Sequence, residues 1–379
     1  VPEGIASPNR KRLNLLSNIF KKDIVFTIAF IMAITSCFLY VPKLEYIDFK
    51  VLFSLFNLML VIKALEELKI LDKFAVGIVN KCSDYRQVSL ILILLCFFSS
   101  MLITNDVALI TFVPLTLIIS RKTHRPMVDT IILQTLAANI GSSLTPMGNP
   151  QNLFIFSFYK LTITQFFMTV GLFVLLGGVW LYILNYRIKR HNIVVELDEV
   201  EVKNQREAFI WIGVFCVIIA SILGGIDYKL AIIVTILAVL AIDLSLLGKI
   251  DYLLLATFVC FFVFIGNVSH IPAINSYMRE HLTDSTSVYV ASIFSSQFIS
   301  NVPSAILLSR FTDNWKPLLL GVNIGGMGTL VASLASVISY KLFIKDNPGE
   351  GKKYILKFSL YNLVSLVILA VISYLILNI

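Results

Sequence analysis

Apolar runs long enough to span a bilayer, about 20 residues each, recur along this chain at Ile24–Val41, Phe166–Tyr186, Phe209–Gly225, Tyr252–Val268 and Phe358–Ile379. Between them lie apolar segments interrupted by Ser, Thr, Asn, Gly and Pro. The pattern predicts helices over 24–41, 47–66, 127–159, 166–186, 208–225, 228–247, 251–268, 316–343 and 355–378, with those at 127–159 and 316–343 broken. Two remaining segments, 88–119 and 286–312, predict hairpins that enter the membrane and turn back on the side they came from. The first run is too long, and too far from any small-residue cleavage site, for a removable leader, so it is expected to stay as a helix. The expected fold class is an all-α polytopic membrane protein.

An internal duplication refines this. Phe98-Ser-Ser-Met-Leu-Ile-Thr-Asn105 reappears as Phe294-Ser-Ser-Gln-Phe-Ile-Ser-Asn301, with five of eight positions identical. Further on, Asn139-Ile-Gly-Ser-Ser-Leu-Thr145 reappears as Asn323-Ile-Gly-Gly-Met-Gly-Thr329. Two matched motifs in the same order, each interrupting an apolar segment, predict two repeats with re-entrant hairpins and broken helices. The division expected is a cytoplasmic segment 1–23, a first transmembrane helix 24–44, a first repeat 45–186, a charged cytoplasmic linker 187–207 and a second repeat 208–379.

Composition agrees: 58% of residues are hydrophobic and 14% charged, far from the balance of a soluble domain. Net charge is +8, and its placement carries more than its size. Alternating sides along the expected helices puts 24 basic residues on one face and seven on the other, namely Lys43, Lys50, Lys160, Lys229, Arg279, Arg310 and Lys316. The positive-inside rule then places the N-terminus in the cytoplasm and the C-terminus outside, and makes the two repeats inverted. Basic loops of this kind serve insertion, so no nucleic-acid partner is expected. The five cysteines are scattered singly and the four histidines lie far apart in loops, so neither a disulfide framework nor a transition-metal site is expected.

Candidate chemistry gathers at the duplicated motifs. Non-helical backbone at membrane depth survives only where protein or water satisfies it. The hairpin tips are therefore expected to face a binding cavity. Ser100 with Thr104, and Ser296 with Ser300, each put two hydroxyls on one helix face beside a tip asparagine, Asn105 or Asn301. Such neutral oxygens suit a small hard cation, while exposed N–H groups at a half-helix N-terminus attract an anion. The bland alternative is close helix packing by small residues, which suffices for Ser99 and Ser295. Gly141, Pro146, Gly148 and Pro150 in one half, and Gly325, Gly326 and Gly328 in the other, predict unwound loops whose backbone contributes to the sites. Asn149 beside one break and Thr329 beside the other join Thr104, Asn105, Asp106, Ser300 and Asn301 as expected substrate contacts. The coupling-ion positions are Ser100, Thr104, Asn105 and Gly141, mirrored by Ser296, Ser300, Asn301 and Gly325.

Asp106 is the ionisable residue at a tip, a candidate cation ligand or proton carrier, and its counterpart is Val302. Asp129 and Asp243 fall near segment ends and suit capping. Arg310 suits either anion attraction or snorkelling to the surface. Leu68–Val79 is expected to lie in the interface as an amphipathic stretch.

Thr104–Pro114, Asn139–Asn152, Ser300–Ala305 and Asn323–Thr329 together resemble the ion transporter superfamily, which includes divalent anion/sodium symporters, arsenite permeases and a branch of sodium/proton antiporters. The resemblance covers nearly all of the chain from about Ile24. It implies alternating access, sodium at the coupling-ion positions as the only metal, and no cofactor beyond sodium or protons. In dicarboxylate symporters both tips resemble Ser-Asn-Thr; here the third position is Asp106 or Val302, and the tips look closer to arsenite permeases, antiporters and bacterial anion-permease relatives. The function expected is secondary transport of a small anion or oxyanion coupled to sodium or protons. The alternatives are a sodium/proton antiporter using Asp106 and, more remotely, an intramembrane enzyme, which lacks a second tip aspartate or a nucleophile–base pair. The expected partners are a small-ion substrate, the lipid bilayer of a bacterial cytoplasmic membrane and, where it assembles, a second copy in a homodimer.

Overall fold

A computed structural model describes residues 24–193 and 195–377. The expected N-terminal cytoplasmic segment lies outside them. Among the described residues the regular structure is helical, apart from an isolated β-bridge between Asp84 and Asn192. The α-helices are α1 (Ile24–Cys37), α2 (Phe49–Glu67), α3 (Ile70–Val79), α4 (Tyr85–Ile103), α5 (Asn105–Thr123), α6 (Val128–Ser142), α7 (Pro150–Phe158) and α8 (Ile163–Tyr186). They continue as α9 (Gln205–Ile222), α10 (Tyr228–Ile242), α11 (Tyr252–Val268), α12 (Pro272–His281), α13 (Ser285–Ile299), α14 (Asn301–Ser309), α15 (Trp315–Gly325), α16 (Leu334–Asp346) and α17 (Gly351–Leu377).

The order of shapes repeats. A helix followed by a short one (α2–α3, then α11–α12), a hairpin (α4–α5, then α13–α14), a broken helix (α6–α7, then α15–α16) and a long helix (α8, then α17) occur twice. The turn from α2 to α3 uses Lys69 in the left-handed region at φ 64°, and α11–α12 bends by 94°. Helix α3 covers most of the expected amphipathic stretch, burying Ala75, Val76 and Val79 while Phe74 stays exposed.

Bilayer, not water, suits the outer faces. Helices α4, α8, α9 and α17 are long and apolar enough to cross. On α17 the exposed side chains Leu356, Leu360, Leu363, Val367 and Val371 recur every three or four residues, an apolar stripe that an aqueous surface does not tolerate. Polarity is inverted inside: every residue of α6 from Thr130 to Ser142 is buried, as is every residue of α15 from Pro317 to Gly325. The two broken helices are thus the axis around which the hairpins pack.

Local chemistry moves some boundaries from their expected places. The arm expected over 88–103 begins at Tyr85, because the Asp84 carboxylate caps it by accepting from the N–H of Arg86 and Gln87 at 2.7 and 3.2 Å. At 19 residues α4 is long enough to span, and what makes it half of a hairpin is the reversal at Thr104, not shortness. Helix α10 stops at Ile242 instead of 247, since Asp243 accepts from the Ser245 N–H at 2.8 Å and starts a 3₁₀ turn.

Two polar layers bracket the helices. In one, Tyr85 Oη donates to Pro126 O at 2.8 Å, joining the roots of the first hairpin, and Asp84 pairs with Arg190. Arg121–Asp346 (3.1 Å), Lys357–Asp129 (2.9 Å) and Lys249–Glu67 (2.8 Å) belong to the same layer. In the other, Asn314 Nδ2 donates to Thr283 O at 3.2 Å, joining the roots of the second hairpin, and Tyr159 Oη donates to Thr312 O at 2.7 Å. Helix α8 separates them: the residue after its end, Arg187, precedes Ile188, whose carbonyl holds Arg86 Nε at 2.8 Å, and its start follows Tyr159. That helix is 24 residues, or about 36 Å at 1.5 Å per residue.

Asp84 lies in the first of these polar layers. Burial alone raises its carboxyl, but the Arg190 guanidinium and the N–H groups of Gln87 and Arg86 outweigh burial and hold it below the ordinary carboxylate range. A depressed carboxyl contributes stability above that range and loses it as pH falls through the folded value. Asp84→Ala is expected to lower the detergent-solubilised melting temperature at neutral pH, the cap alone contributing about 1 kcal/mol. The gap between wild type and variant should close as pH falls below the carboxylate range; a gap of constant size across pH would contradict the assignment.

Candidate functional site

Each hairpin reverses on a single residue. Thr104 joins α4 to α5 at φ 77°, ψ 150°, and Ser300 joins α13 to α14 at φ 72°, ψ 156°. This backbone region is normally left to glycine and costs about 1–3 kcal/mol for other residues. The same unfavourable conformation at both duplicated positions holds because packed helices on either side leave no other path. The asparagine that follows becomes the first residue of the returning helix, with both side chains buried. Asn105 N–H donates to Gly148 O at 3.1 Å, and its side-chain oxygen accepts from Asp106 N–H at 3.0 Å.

Beside the tips the two central helices come apart, α6–α7 over 143–149 and α15–α16 over 326–333. Pro146 and Pro150 enforce the first break, with Asn149 capping α7 by accepting from Asn152 N–H at 3.1 Å. Gly328 at φ 101° enforces the second. Each freed strand is tied to its hairpin by the same bond: Thr145 Oγ1 donates to Met101 O, and Thr329 Oγ1 donates to Gln297 O at 3.0 Å.

The halves are stitched together crosswise. Asn139, near the end of α6, donates to Gly326 O at 3.4 Å and accepts from Ser333 Oγ at 3.0 Å, both in the other half. Its counterpart Asn323 donates to Asn152 Oδ1 at 2.7 Å and accepts from Asn149 Nδ2 at 3.2 Å. Asn105 Nδ2 donates to Asn139 Oδ1 at 3.2 Å, so the first tip is wired into this junction.

The expected coupling-ion residues fall into two clusters. Gly141 packs so tightly on α4 that a Cβ there would lie 2.1 Å from Phe97 O and 2.7 Å from Ser100 Oγ. Gly325 stands in the same relation to α13, its Cβ falling 2.7 Å from Ser296 Cβ and 2.8 Å from Ser296 Oγ. Ser100 and Ser296 hydroxyls spend their protons on Phe97 O and Ser292 O, at 2.9 and 2.7 Å, which leaves their lone pairs available. Asp106 occupies the first turn of α5, where one carboxylate oxygen is buried with no hydrogen-bond partner among the described residues. Asn149 and Thr329, expected as substrate contacts, are engaged in the bonds given above. Arg310 sits at the far end of α14 from the tip, donating to Tyr46 O at 3.3 Å with its guanidinium over the Phe158 ring. Among the described residues no group of three His, Cys, Asp or Glu side chains is placed for a metal ion.

A family model described as a citrate transporter matches residues 15–317. The chain belongs to the citrate transporter family. An uncharacterized transporter of Methanocaldococcus jannaschii is 38% identical over 300 residues, covering 78% of this chain and 81% of that protein. The inner membrane protein YbiR of Escherichia coli is 28% identical over 346 residues, covering 87% and 88%, and a 46 kDa membrane protein of Mycobacterium leprae is 23% identical over 338 residues, covering 78% and 79%. Membership makes this chain a multi-pass secondary transporter rather than an enzyme.

For a citrate transporter family member, sequence reasoning found the tips and breaks but missed how they are joined. Asn139 and Asn323 begin the second duplicated motif, a signal that marked them as paired without revealing that each bonds into the opposite half. Gln297 was missed because its counterpart, Met101, is apolar. Removing Asn323 leaves the buried Asn152 side-chain oxygen without its donor and takes one acceptor from the Asn149 amide, and an unsatisfied buried group costs about 1–3 kcal/mol. Asn323→Ala is therefore expected to lower the melting temperature in detergent well beyond Asn80→Ala, which removes an exposed amide that exchanges two hydrogen bonds with the Leu197 backbone. Equal melting temperatures for the two variants would contradict a central role for the junction.

Proposed function

We propose that this protein is a cation-coupled secondary transporter of a small anion, working by alternating access between two inverted repeats. The observation that carries this reading is the pair of single-residue tips, Thr104 and Ser300, held in the same backbone conformation beside the two helix breaks. The returning helices α5 and α14 begin there, and α7 and α16 begin at the breaks, so four helix N-termini with their partial positive charge border one region. Those ends suit an anion. Ser100, Thr104, Asn105 and the Gly141 backbone, mirrored by Ser296, Ser300, Asn301 and the Gly325 backbone, offer neutral oxygens for a hard cation such as sodium. The substrate-contacting set is Thr104, Asn105, Asp106 and Asn149 in one half with Ser300, Asn301 and Thr329 in the other.

Inversion is supported by the two polar layers, which hold the roots of the two hairpins apart by the length of α8. Positive-inside bias favours the cytoplasm for the layer containing the first hairpin's roots, in a bacterial cytoplasmic membrane. A second reading, sodium/proton antiport, is favoured by the unpartnered carboxylate oxygen of Asp106. A charge in the membrane is retained where it is used.

Uptake into liposomes, with a panel of anions under imposed sodium or proton gradients, separates the two. Asn105→Ala and Asn301→Ala are each expected to abolish gradient-driven uptake in protein that remains folded. Asp106→Asn is expected to weaken sodium dependence if sodium drives anion uptake, and to abolish pH-driven flux if protons are exchanged. Anion uptake indifferent to both gradients, and unchanged by all three substitutions, would sink the proposal.

A further inference from the structure

The two candidate cation positions differ in one residue of the hairpin. We propose that the Gln297 side-chain amide fills the position in the second half, so that the cycle uses a single coupling cation, bound in the first half. This rests on the cation-coupled reading above and sets its stoichiometry.

Gln297 precedes the second tip by three residues and points its carboxamide at the unwound strand after α15. Its Nε2 lies 2.8 Å from Gly325 O, 3.1 Å from Met327 O and 3.2 Å from Ile293 O. Three carbonyl oxygens converging on one nitrogen resemble the shell a desolvated cation gathers, here closed around an N–H₂ group. The orientation of the amide is fixed by the other end, since Oε1 accepts from the Thr329 backbone N–H at 3.0 Å and a backbone N–H can only donate. The carbonyls therefore face hydrogens, and a cation approaching them meets like polarity.

The backbone is shaped around this side chain. A Cβ on Gly328 would fall 2.3 Å from Gln297 Oε1, and Gly328 also sits at φ 101°. Glycine is what lets the strand wrap the carboxamide.

The first half lacks the device. Met101 and Leu144 hold the positions of Gln297 and Gly328, and a thioether donates no hydrogen bond. The amide near that break, Asn152, comes from α7 instead of the hairpin, and the carbonyls it reaches at 3.2–3.3 Å, Ser142 O, Ser143 O and Thr145 O, do not include Gly141 O, the counterpart of the Gly325 O that Gln297 holds. The hairpin side of the first cluster, with the Ser100 lone pairs beside Gly141, stays free of any fixed side-chain amide from position 101.

Equilibrium binding of radioactive sodium to the purified full chain in detergent tests the asymmetry without needing the substrate. Wild type is expected to bind one sodium per chain. Gln297→Met, which copies the first half into the second, is expected to bind two, and Met101→Gln combined with Leu144→Gly, which does the reverse, is expected to bind none. Melting temperatures and size-exclusion profiles establish that the variants are folded, and the wild-type count needs no variant at all. Two sodium ions on wild type would overturn this proposal while leaving cation coupling intact. One sodium on wild type and on both variants would also overturn it. No sodium on any of the three would remove the sodium-coupled reading itself, and this inference with it.

Discussion

A helix broken inside a membrane exposes carbonyl and N–H groups to a medium that cannot solvate them, and each unsatisfied group there costs several kcal/mol. The fold around α6–α7 and α15–α16 is organised by that constraint. Asn139 and Asn323 meet it by reaching across, each bonding to groups belonging to the other half. Neither break is self-sufficient, so the two helices must be broken at the same depth and side by side. The hairpins follow from this. Their tips supply the remaining partners, Asn105 bonding to Gly148 and Asn139, and Gln297 to the carbonyls after α15. Glycines at 141 and 325 let the hairpin arms approach closely enough to do so.

This solution uses neutral groups almost throughout. Buried charges would hold a counterion too firmly to release, whereas hydroxyls, amides and carbonyls offer ligands that exchange at modest cost. Helix ends add directional charge without a titrating group. Asp106 is the exception among the tip residues, with one carboxylate oxygen buried and without a hydrogen-bond partner among the described residues. Strain is concentrated at Thr104 and Ser300, the residues where each hairpin turns. Residues held in such conformations cluster where a structure binds or moves.

Much of this was legible in the chain. Apolar run lengths gave the helices, and the duplicated Phe-Ser-Ser and Asn-Ile-Gly motifs located tips and breaks to within a residue or two. Pro146 and Pro150 announced the first break because proline cannot donate to the helix ladder. Less legible was anything decided by contact between distant residues. The start of α4 depends on the Asp84 cap, and the end of α10 on Asp243, both local rules that shift a boundary by a turn. Crosswise bonding of Asn139 and Asn323 involves partners more than 170 positions away, which no spacing rule encodes. Gln297 differed from its counterpart, and a comparison of repeats that looks for identity passes over the residue that breaks the symmetry. Arg310 could be weighed from sequence only as a surface or anion-binding group; its bond to Tyr46 O ties it to the second polar layer.

The central claim is that the two hairpins enter the membrane from opposite sides and meet at the broken helices. Accessibility of single cysteines tests it most directly, in a variant whose five native cysteines have been replaced. His124→Cys marks the root of the first hairpin and Asp313→Cys the root of the second. With a membrane-impermeant thiol reagent on intact cells, the account predicts that the cysteine at 313 is labelled at once and the cysteine at 124 only after the membrane is permeabilised. Labelling of both from the same side of the intact membrane would contradict it.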